Sequence, residues 1–274
     1  MTLKGPIGIF DSGYGGLTVM KSITALLPEY DYLYLGDNAR APYGSRSYET
    51  IHQYTLECIQ WFFSNNCPLV ILACNTASAK ALRTIQQSDI QKLPGDHRVL
   101  GVIRPTTEVI GNYTTTGSIG ILGTKGTIAS ESYPIELHRF FPKLRVYQHA
   151  CPLWVPLIEN NEHMNQGADH FIEKDIKALL KQDSKIDTIL LACTHYPLLI
   201  NTINKFVPET IKVIMQGDIV AKSLEQYLKV HDEINSRCLK AGKRDFFTTD
   251  APIDFDLQST SFYGEKVKSR HLQL

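Results

Sequence analysis

The chain has 274 residues, of which 43% are hydrophobic and 20% are charged, and its 28 basic residues balance 28 acidic ones. This length is enough for two modest domains or one large domain. Zero net charge argues against a dedicated nucleic-acid-binding protein, which usually carries a basic excess. No apolar run reaches the roughly 18 residues that indicate a membrane span, and residues 1–9 lack the features of a secretory leader. We therefore expect a cytoplasmic protein that binds neither nucleic acid nor membrane.

The cysteines are scattered along the chain rather than grouped. No two of them have CxxC spacing, which argues against a structural zinc site and against a thiol oxidoreductase. A disulfide framework is also not typical of a chain of this length and type. We expect no bound metal, and we interpret most of the cysteines as small buried hydrophobic residues. These are Cys58, Cys67, Cys151 and Cys238.

The first half of the chain alternates short apolar runs with stretches of helical periodicity. We predict strands at residues 6–10, 32–37, 68–72 and 99–102, and helices at residues 17–27, 47–63, 76–87 and from about 106. Ser47 fits the N-cap position of the second helix. Each strand is followed by a helix, and this order is typical of a parallel sheet with helices on its faces.

The second half of the chain repeats this order. We predict strands at residues 118–122, 145–149, 188–191 and 212–215, and helices at residues 129–140, 168–182 and 219–228. A polar break at residues 91–98 and Pro208 mark the two expected crossings between domains. The prediction is an α/β fold with two pseudo-symmetric domains, each a mainly parallel sheet flanked by helices. Residues 1–97 plus 208–274 form the first domain, and residues 98–207 form the second.

A cysteine follows a predicted strand at equivalent places in the two halves. The segment Leu72-Ala73-Cys74-Asn75-Thr76 is nearly repeated 119 residues later as Leu191-Ala192-Cys193-Thr194-His195. Ligands in open α/β sheets bind beyond the carboxyl ends of the strands. Two facing strand ends would place one thiol on either side of a ligand in the cleft between the domains. Inversion of a carbon stereocentre needs such a pair of opposed proton carriers.

The residues beside these cysteines suit proton transfer and anion binding. Each cysteine precedes a predicted helix N-terminus, where the positive end of the helix dipole favours a thiolate and a bound carboxylate. His195 lies two residues beyond Cys193 and is a candidate proton partner for it. Asp11 lies at a neighbouring strand end and is a candidate partner for Cys74. Ordinary helix capping is the simpler explanation for either motif taken alone.

Two loops at predicted strand ends are further candidates for ligand contacts. The turn at residues 11–16 lacks the spacing of GxGxxG and the GK[ST] ending, but its glycines let backbone amides approach a carboxylate. The loop with Pro42-Tyr43-Gly44 follows the second strand, where substrate contacts are common. The alternatives are a tight turn capped by Asp11 and a turn with solvated charges.

Taken together, these stretches resemble glutamate racemase, in the wider aspartate/glutamate racemase superfamily. The similar segments occur in the family's order and span about residues 7–200. They are Phe10-Asp11-Ser12-Gly13 with Gly15-Gly16-Leu17, Gly36-Asp37-Asn38-Ala39-Arg40 with Pro42-Tyr43-Gly44, Ala73-Cys74-Asn75-Thr76-Ala77, Gly123-Thr124 with Gly126-Thr127, Cys151-Pro152-Leu153, and Ala192-Cys193-Thr194-His195-Tyr196-Pro197. Residues 247–249 also resemble the family's closing segment.

The resemblance implies roles for particular residues. Cys74 would take the α-proton from D-glutamate with help from Asp11, and Cys193 would take it from L-glutamate with help from His195. Glu159 would match an acid that lies behind the site in some members. The implied substrate contacts are Asp11, Ser12, Tyr43, Gly44, Asn75, Thr76, Thr194 and His195.

The resemblance also implies an activity and its setting. It implies interconversion of L- and D-glutamate without any cofactor or metal, supplying D-glutamate for peptidoglycan, by an enzyme that forms homodimers. The nearest alternative is a racemase for aspartate or another acidic amino acid that uses the same two thiols. A non-catalytic amino-acid-binding homologue is the second alternative, although a binding protein needs no thiol on each face of its ligand.

Overall fold

The protein is built on two parallel β-sheets, described by the computed structural model for residues 4–274. The first three residues of the predicted first domain lie outside the described residues. The strands are β1 (Ile7–Asp11), β2 (Tyr32–Gly36), β3 (Leu69–Leu72), β4 (Arg98–Gly101), β5 (Ser118–Gly123), β6 (Arg145–Ala150), β7 (Thr188–Ala192), β8 (Lys212–Ile214), β9 (Arg244–Thr248) and β10 (Ser269–His271). One sheet has six strands in the order β10-β9-β2-β1-β3-β4, and the other has four in the order β6-β5-β7-β8.

Helices follow most of the strands and flank the sheets. They are α1 (Gly16–Leu26), α2 (Tyr48–Ser64), α3 (Asn75–Lys80), α4 (Leu82–Thr84), α5 (Ile103–Val109), α6 (Lys125–Ala129), α7 (Ser132–Phe140), α8 (Trp154–Glu159), α9 (Gln166–Leu180), α10 (Ile200–Phe206), α11 (Gly217–Val230), α12 (Asp232–Asn235) and α13 (Pro252–Tyr263). Every strand pair in the two sheets is parallel. The predicted α/β fold with two mainly parallel sheets is therefore confirmed.

The central strands of both sheets are buried on both faces. Every residue of β1, β3, β5 and β7 is buried, as expected where helices cover both sides of a parallel sheet. Short, continuous apolar runs such as Leu69–Leu72 reflect this double burial. The register pairs Ile7 with both Tyr32 and Leu69, so three carboxyl strand ends of the six-stranded sheet reach the same edge.

Sheet membership changes one strand later than the predicted domain boundaries. Residues 98–101 were assigned to the second domain, but β4 pairs with β3 in the first sheet. Residues 212–214 were assigned to the first domain, but β8 pairs with β7 in the second sheet. Backbone hydrogen bonds hold β4 to β3 and β8 to β7. The polar break and Pro208 mark surface loops and carry no information about this pairing. We propose that the chain crosses between the two halves after β4 and after β8.

Several helices differ from the predicted pattern. The predicted helix at 129–140 corresponds to α7, which begins only at Ser132 because Glu131 adopts a left-handed backbone conformation with φ of 53°. A separate short helix, α6, precedes it and ends at Ala129. The predicted helix at 76–87 is divided near Ala81 and continues as a π-helical turn at Ile85–Asp89. Ser47 caps α2 as predicted, since its hydroxyl accepts a hydrogen bond from the Thr50 amide at 3.3 Å.

The elements after residue 230 were not predicted. Strands β9 and β10 extend the six-stranded sheet beyond β2, and α13 packs against α1. Both strands lie towards the sheet edge and carry charged residues such as Arg244 and Arg270, which hide the apolar pattern of a buried strand. Within residues 4–274, no helix is both long and apolar enough to span a bilayer.

Candidate active site

The two cysteines of the repeated motif lie at the carboxyl ends of corresponding strands. Cys74 follows β3 and is the N-cap residue of α3, where its sulfur accepts a hydrogen bond from the Ala77 amide at 3.4 Å. Cys193 follows β7 directly. The chain after Cys193 differs from the prediction, because a 3₁₀ turn at Tyr196–Leu199 comes before α10. Only Cys74 therefore lies at the start of an α-helix.

The loops at these strand ends contact each other across the two sheets. The Thr194 hydroxyl donates to the Asp11 carboxylate at 3.3 Å, and the Thr18 hydroxyl donates to the Thr194 carbonyl at 2.9 Å. A methyl group added to Gly15 would lie 2.3 Å from the Thr194 hydroxyl oxygen and 2.4 Å from His195 Nδ1. The glycine-rich turn is therefore required for this close approach. The structure brings both cysteines into one buried region between the sheets.

Cys74 lies in an environment that favours the protonated thiol. Burial, the nearby Asp11 carboxyl and Cys193 raise the pKa of Cys74 to about 12, although contacts from Ser12 and the Ala77 amide act in the opposite direction. Its sulfur lies 3.5 Å from the Ser12 hydroxyl. Burial also raises the pKa of Asp11, against the opposing effects of His195 and two backbone amides. Both the Cys74 thiol and the Asp11 carboxyl therefore favour their protonated forms.

Cys193 lies beside a positively charged group. Burial lowers the pKa of His195, but hydrogen bonds with Cys193 and Glu159 outweigh burial and raise it to about 10. His195 Nε2 lies 3.0 Å from the Glu159 carboxylate, and the ring packs edge-on against Phe262 at 5.2 Å between centroids. The ion pair with Glu159 therefore favours the protonated form of the imidazole beside Cys193. The two cysteines lie beside different titratable groups, His195 for Cys193 and Asp11 for Cys74.

The ion pair between Glu159 and His195 makes a testable contribution to stability. Because folding raises the pKa of His195 above its ordinary value of about 6.5, the stabilisation is complete below that pH and is lost as the pH rises through about 10. We expect Glu159→Gln to lower this pKa and to flatten the decline in the free energy of unfolding between these limits. Urea unfolding across this pH range measures the free energy of unfolding. Glu162→Gln, at an exposed glutamate, is the control. Equal slopes for the wild type and Glu159→Gln would contradict the prediction.

The hydrogen bonds around Asn75 determine which end of its amide is free. Gln216 Nε2 lies 3.2 Å from the Val102 carbonyl, which only accepts, so this atom of Gln216 must be the nitrogen. The same nitrogen lies 2.8 Å from Thr106 Oγ1 and 2.8 Å from the Tyr133 hydroxyl. Tyr133 then donates to Asn75 Oδ1 at 2.6 Å. The buried Asn75 Nδ2 has no partner among residues 4–274 and remains a donor for a ligand.

The Tyr43 loop is held in place by a buried polar network. The Tyr43 hydroxyl donates to Asp37 at 2.5 Å, and the Arg40 guanidinium pairs with the same carboxylate oxygen at 2.7 Å. The Thr249 hydroxyl donates to the other oxygen at 2.8 Å. The Tyr43 hydroxyl proton is therefore engaged within the protein, which leaves the backbone of Tyr43 and Gly44 as the candidate donors for a ligand at this loop.

The second sheet approaches this loop through its threonines. Thr124 lies in van der Waals contact range of Gly44, where an added methyl would be 3.0 Å from its Cβ. The Thr76 hydroxyl lies 2.9 Å from the Thr124 hydroxyl. Thr76 therefore connects α3 to the N-terminus of α6, and residues of both halves meet here as they do at Asp11 and Thr194.

Three residues at this site were missed by sequence reasoning. Tyr133 lies on a helix face, Gln216 lies in the connection after β8, and Thr249 lies after β9. None belongs to the repeated cysteine motif or to the two glycine-containing loops singled out in the sequence. Tyr133 and Gln216 carried no signal in a single sequence. Thr249 fell in the segment at 247–249 that resembles the family, but nothing connected it with Asp37.

The fold and these strand-end cysteines are typical of amino-acid racemases built from two α/β halves. Residues 7–224 match the family described as Asp/Glu/Hydantoin racemase, and the chain belongs to this family. It is 39% identical over 270 residues to the glutamate racemase of Sulfurihydrogenibium sp. (strain YO3AOP1), with 98% of this chain and 97% of the relative covered. The chain is thus an isomerase of the amino-acid racemase class, with glutamate racemases among its relatives.

Solved structures show the same relationship over the full length. The structure of a glutamate racemase isoform from Bacillus anthracis has a TM-score of 0.89 at 33% identity, and 98% of each chain is covered. The glutamate racemase from Francisella tularensis, solved in complex with D-glutamate, has a TM-score of 0.86 at 28% identity with the same coverage. The predicted family and the two-domain α/β fold are confirmed by these similarities.

Proposed function

We propose that this chain interconverts L-glutamate and D-glutamate without a cofactor, using Cys74 and Cys193 as the two acid–base groups. The observation that carries the proposal is the presence of two buried thiols at corresponding strand ends, with the His195 imidazole beside one and the buried Asp11 carboxyl beside the other. The complex of a related glutamate racemase with D-glutamate supports the substrate class. The metabolic role proposed is the supply of D-glutamate for peptidoglycan.

In the proposed reaction, one cysteine removes a proton from the α-carbon and the other cysteine returns a proton to its opposite face. With L-glutamate, the Cys193 thiolate removes the α-hydrogen as a proton, and the electron pair remains on the α-carbon. The Cys74 thiol then donates its proton to the opposite face, giving D-glutamate, a Cys74 thiolate and a Cys193 thiol. The reverse reaction begins with Cys74 as the thiolate. His195 supplies a positive charge beside Cys193, and Asp11 supplies a carboxyl beside Cys74.

The carbanion formed in this reaction needs fixed donors around the α-carboxylate. Such preorganised donors are worth most where water is excluded, because the local dielectric is low. The amide nitrogen of Asn75 is a buried donor without a partner among the described residues, and Thr76 and Thr194 place hydroxyl groups beside the same strand ends. We propose that these groups, with Ser12 and the backbone of Tyr43 and Gly44, hold the substrate.

The decisive experiment is incubation of reduced protein with L-glutamate in deuterated water without any added cofactor. Chiral analysis should find D-glutamate that carries deuterium at the α-carbon, because the returning proton comes from a thiol equilibrated with solvent. A parallel sample of L-aspartate tests the nearest alternative substrate. Racemisation of aspartate alone would reassign the substrate, and no exchange with either amino acid by folded protein would overturn the proposal.

The hydrogen bond from Tyr133 to Asn75 yields a further prediction. Tyr133→Phe keeps the ring but removes the donor that holds Asn75 Oδ1, so the amide can turn and present oxygen to the substrate carboxylate. We expect KM to rise about tenfold, corresponding to about 1.4 kcal/mol. Steady-state kinetics and calorimetric binding of D-glutamate measure the effect, and the exposed Tyr113→Phe is the matched control.

A double substitution shows whether Tyr133 acts through Asn75. In an Asn75→Ala background, Tyr133→Phe should raise KM no further, because the amide that it orients is gone. An equal rise in both backgrounds would show that Tyr133 acts independently of Asn75.

The proposal also includes the assembly and location expected from the sequence. We propose a homodimer in the cytoplasm. Light scattering coupled to size-exclusion chromatography, with and without glutamate, tests the dimer, and a monomer in both conditions would contradict it.

A further inference from the structure

A second group of reactive side chains lies on the four-stranded sheet, outside the proposed reaction. His149 is near the end of β6, Cys151 follows that strand, and Asp175 lies on α9. The possible ligand atoms of these three residues lie within 4.8 Å of one another. His149 Nε2 lies 2.9 Å from the Asp175 carboxylate. The reaction proposed above uses none of these side chains.

We propose that His149, Cys151 and Asp175 form a binding site for a divalent zinc ion. A thiolate, an imidazole and a carboxylate are the three ligand types that zinc takes from proteins, and this combination selects against the hard cations magnesium and calcium. Three protein ligands leave a fourth tetrahedral position for water. Tetrahedral bonds of about 2.0–2.3 Å place ligands about 3.3–3.8 Å apart. The imidazole and carboxylate, now 2.9 Å apart, would have to separate slightly around the ion, and any ligand atoms near the 4.8 Å limit of the group would have to move closer.

The backbone already holds these ligands in position. The Cys151 amide donates to the Gly123 carbonyl at 2.9 Å, and the Tyr196 hydroxyl donates to the Cys151 carbonyl at 3.2 Å. Helix α9 packs directly on β6. All three ligands therefore belong to the half of the molecule that contains the four-stranded sheet. Metal binding at this site would not depend on movement between the two halves.

The site combines a buried thiol with access from solvent. Cys151 is 1% exposed, whereas the His149 side chain is 26% exposed and that of Asp175 is 13% exposed. A metal ion can enter past the imidazole and the carboxylate. Zinc binds the thiolate form of cysteine, so binding would release the thiol proton of Cys151.

No pattern in the sequence indicates this group of ligands. Metal-site spacings such as CxxC come from ligands on one tight turn, whereas here a His-x-Cys pair at a strand end meets an aspartate from a helix 24 residues later. The absence of CxxC therefore excludes a zinc ribbon but does not exclude this arrangement. The proposed ion is not a participant in racemisation.

A Co²⁺ titration of the full-length Cys74→Ser/Cys193→Ser double variant tests the proposal. This background removes both thiols of the cleft, so a sulfur-to-cobalt charge-transfer band from one equivalent of metal must come from another cysteine. We expect saturable binding that Zn²⁺ displaces and a higher Tm with Zn²⁺. Cys151→Ser should abolish the band, and Asp175→Asn and His149→Ala should each weaken binding at least tenfold.

Matched controls separate this site from adventitious binding. His138→Ala removes an exposed histidine of the same half and should leave the affinity unchanged. Circular dichroism shows whether each variant is folded, and Asp175→Asn is the conservative variant if His149→Ala is unstable. The proposal is overturned if the double variant binds no Co²⁺, or if Asp175→Asn and Cys151→Ser bind it as tightly as their parent.

Discussion

Replacement of either cleft cysteine by serine is expected to reduce kcat/KM for racemisation by about 10³-fold or more, because general acid–base groups contribute roughly 10²–10⁴-fold each. A serine hydroxyl is far less acidic than a thiol, so it neither removes the α-proton nor returns it at a useful rate. L- and D-glutamate have equal free energies in water. The loss in kcat/KM must therefore be the same in both directions for Cys74→Ser and for Cys193→Ser.

Deuterium exchange distinguishes the two variants where kinetics cannot. In deuterated water, Cys74→Ser retains Cys193 and should exchange the α-hydrogen of L-glutamate without inverting it. Cys193→Ser should do the same with D-glutamate. Cys238→Ala is the control. Cys238 forms a β-bridge with Gly5, just before the start of β1, whereas Asp11 lies at the carboxyl end of that strand. Substantial racemisation by either serine variant would exclude the two-thiol reaction.

His195→Asn is expected to lower kcat/KM by about 10²-fold, because it removes the positive charge beside Cys193. The loss again applies equally to both directions. The asymmetry should appear in the primary deuterium isotope effect on kcat, which should increase with L-glutamate as substrate, where Cys193 is the proposed base. Asp11→Asn should show the opposite asymmetry, with the larger isotope effect for D-glutamate.

This pair of variants tests the assignment of partners to thiols. Rates with α-deuterated L- and D-glutamate give the four isotope effects, and the Tm of each variant shows whether the buried site is still folded. Identical isotope effects for both enantiomers in both variants would contradict the assignment of His195 to Cys193 and of Asp11 to Cys74.

Much of the fold could be predicted because local pattern and tertiary structure agree. The strands that end at Asp11, Leu72 and Ala192 are buried on both faces, so their apolar runs stand out in the sequence. Sheet membership could not be predicted in the same way, since β4 and β8 follow polar breaks yet stay hydrogen-bonded to the preceding strand of the same sheet. A polar loop indicates that a segment is exposed to solvent, but it does not indicate which sheet the next strand will join.

The site was predictable only where one segment of chain carries the pattern. Cys74 with Asn75, and Cys193 with His195, are each delivered by a single strand end. The orientation of the Asn75 amide depends on Tyr133 and Gln216, which are distant from it in sequence and which it meets only when the two halves pack together. Glu159 and His195 both belong to the half with the four-stranded sheet but lie 36 residues apart, and the resemblance to the family indicated Glu159 only as an acid behind the site.

The place of β9 in the six-stranded sheet has a consequence for synthesis on the ribosome. The four-stranded sheet uses strands between residues 118 and 214, and it can be completed while the chain is still growing. The six-stranded sheet must wait for β9, which pairs with β2 more than 200 residues after it was made. Thr249, which fixes Asp37 under the Tyr43 loop, emerges with that strand. A nascent chain released before this point would therefore carry both cleft cysteines in an unfinished pocket.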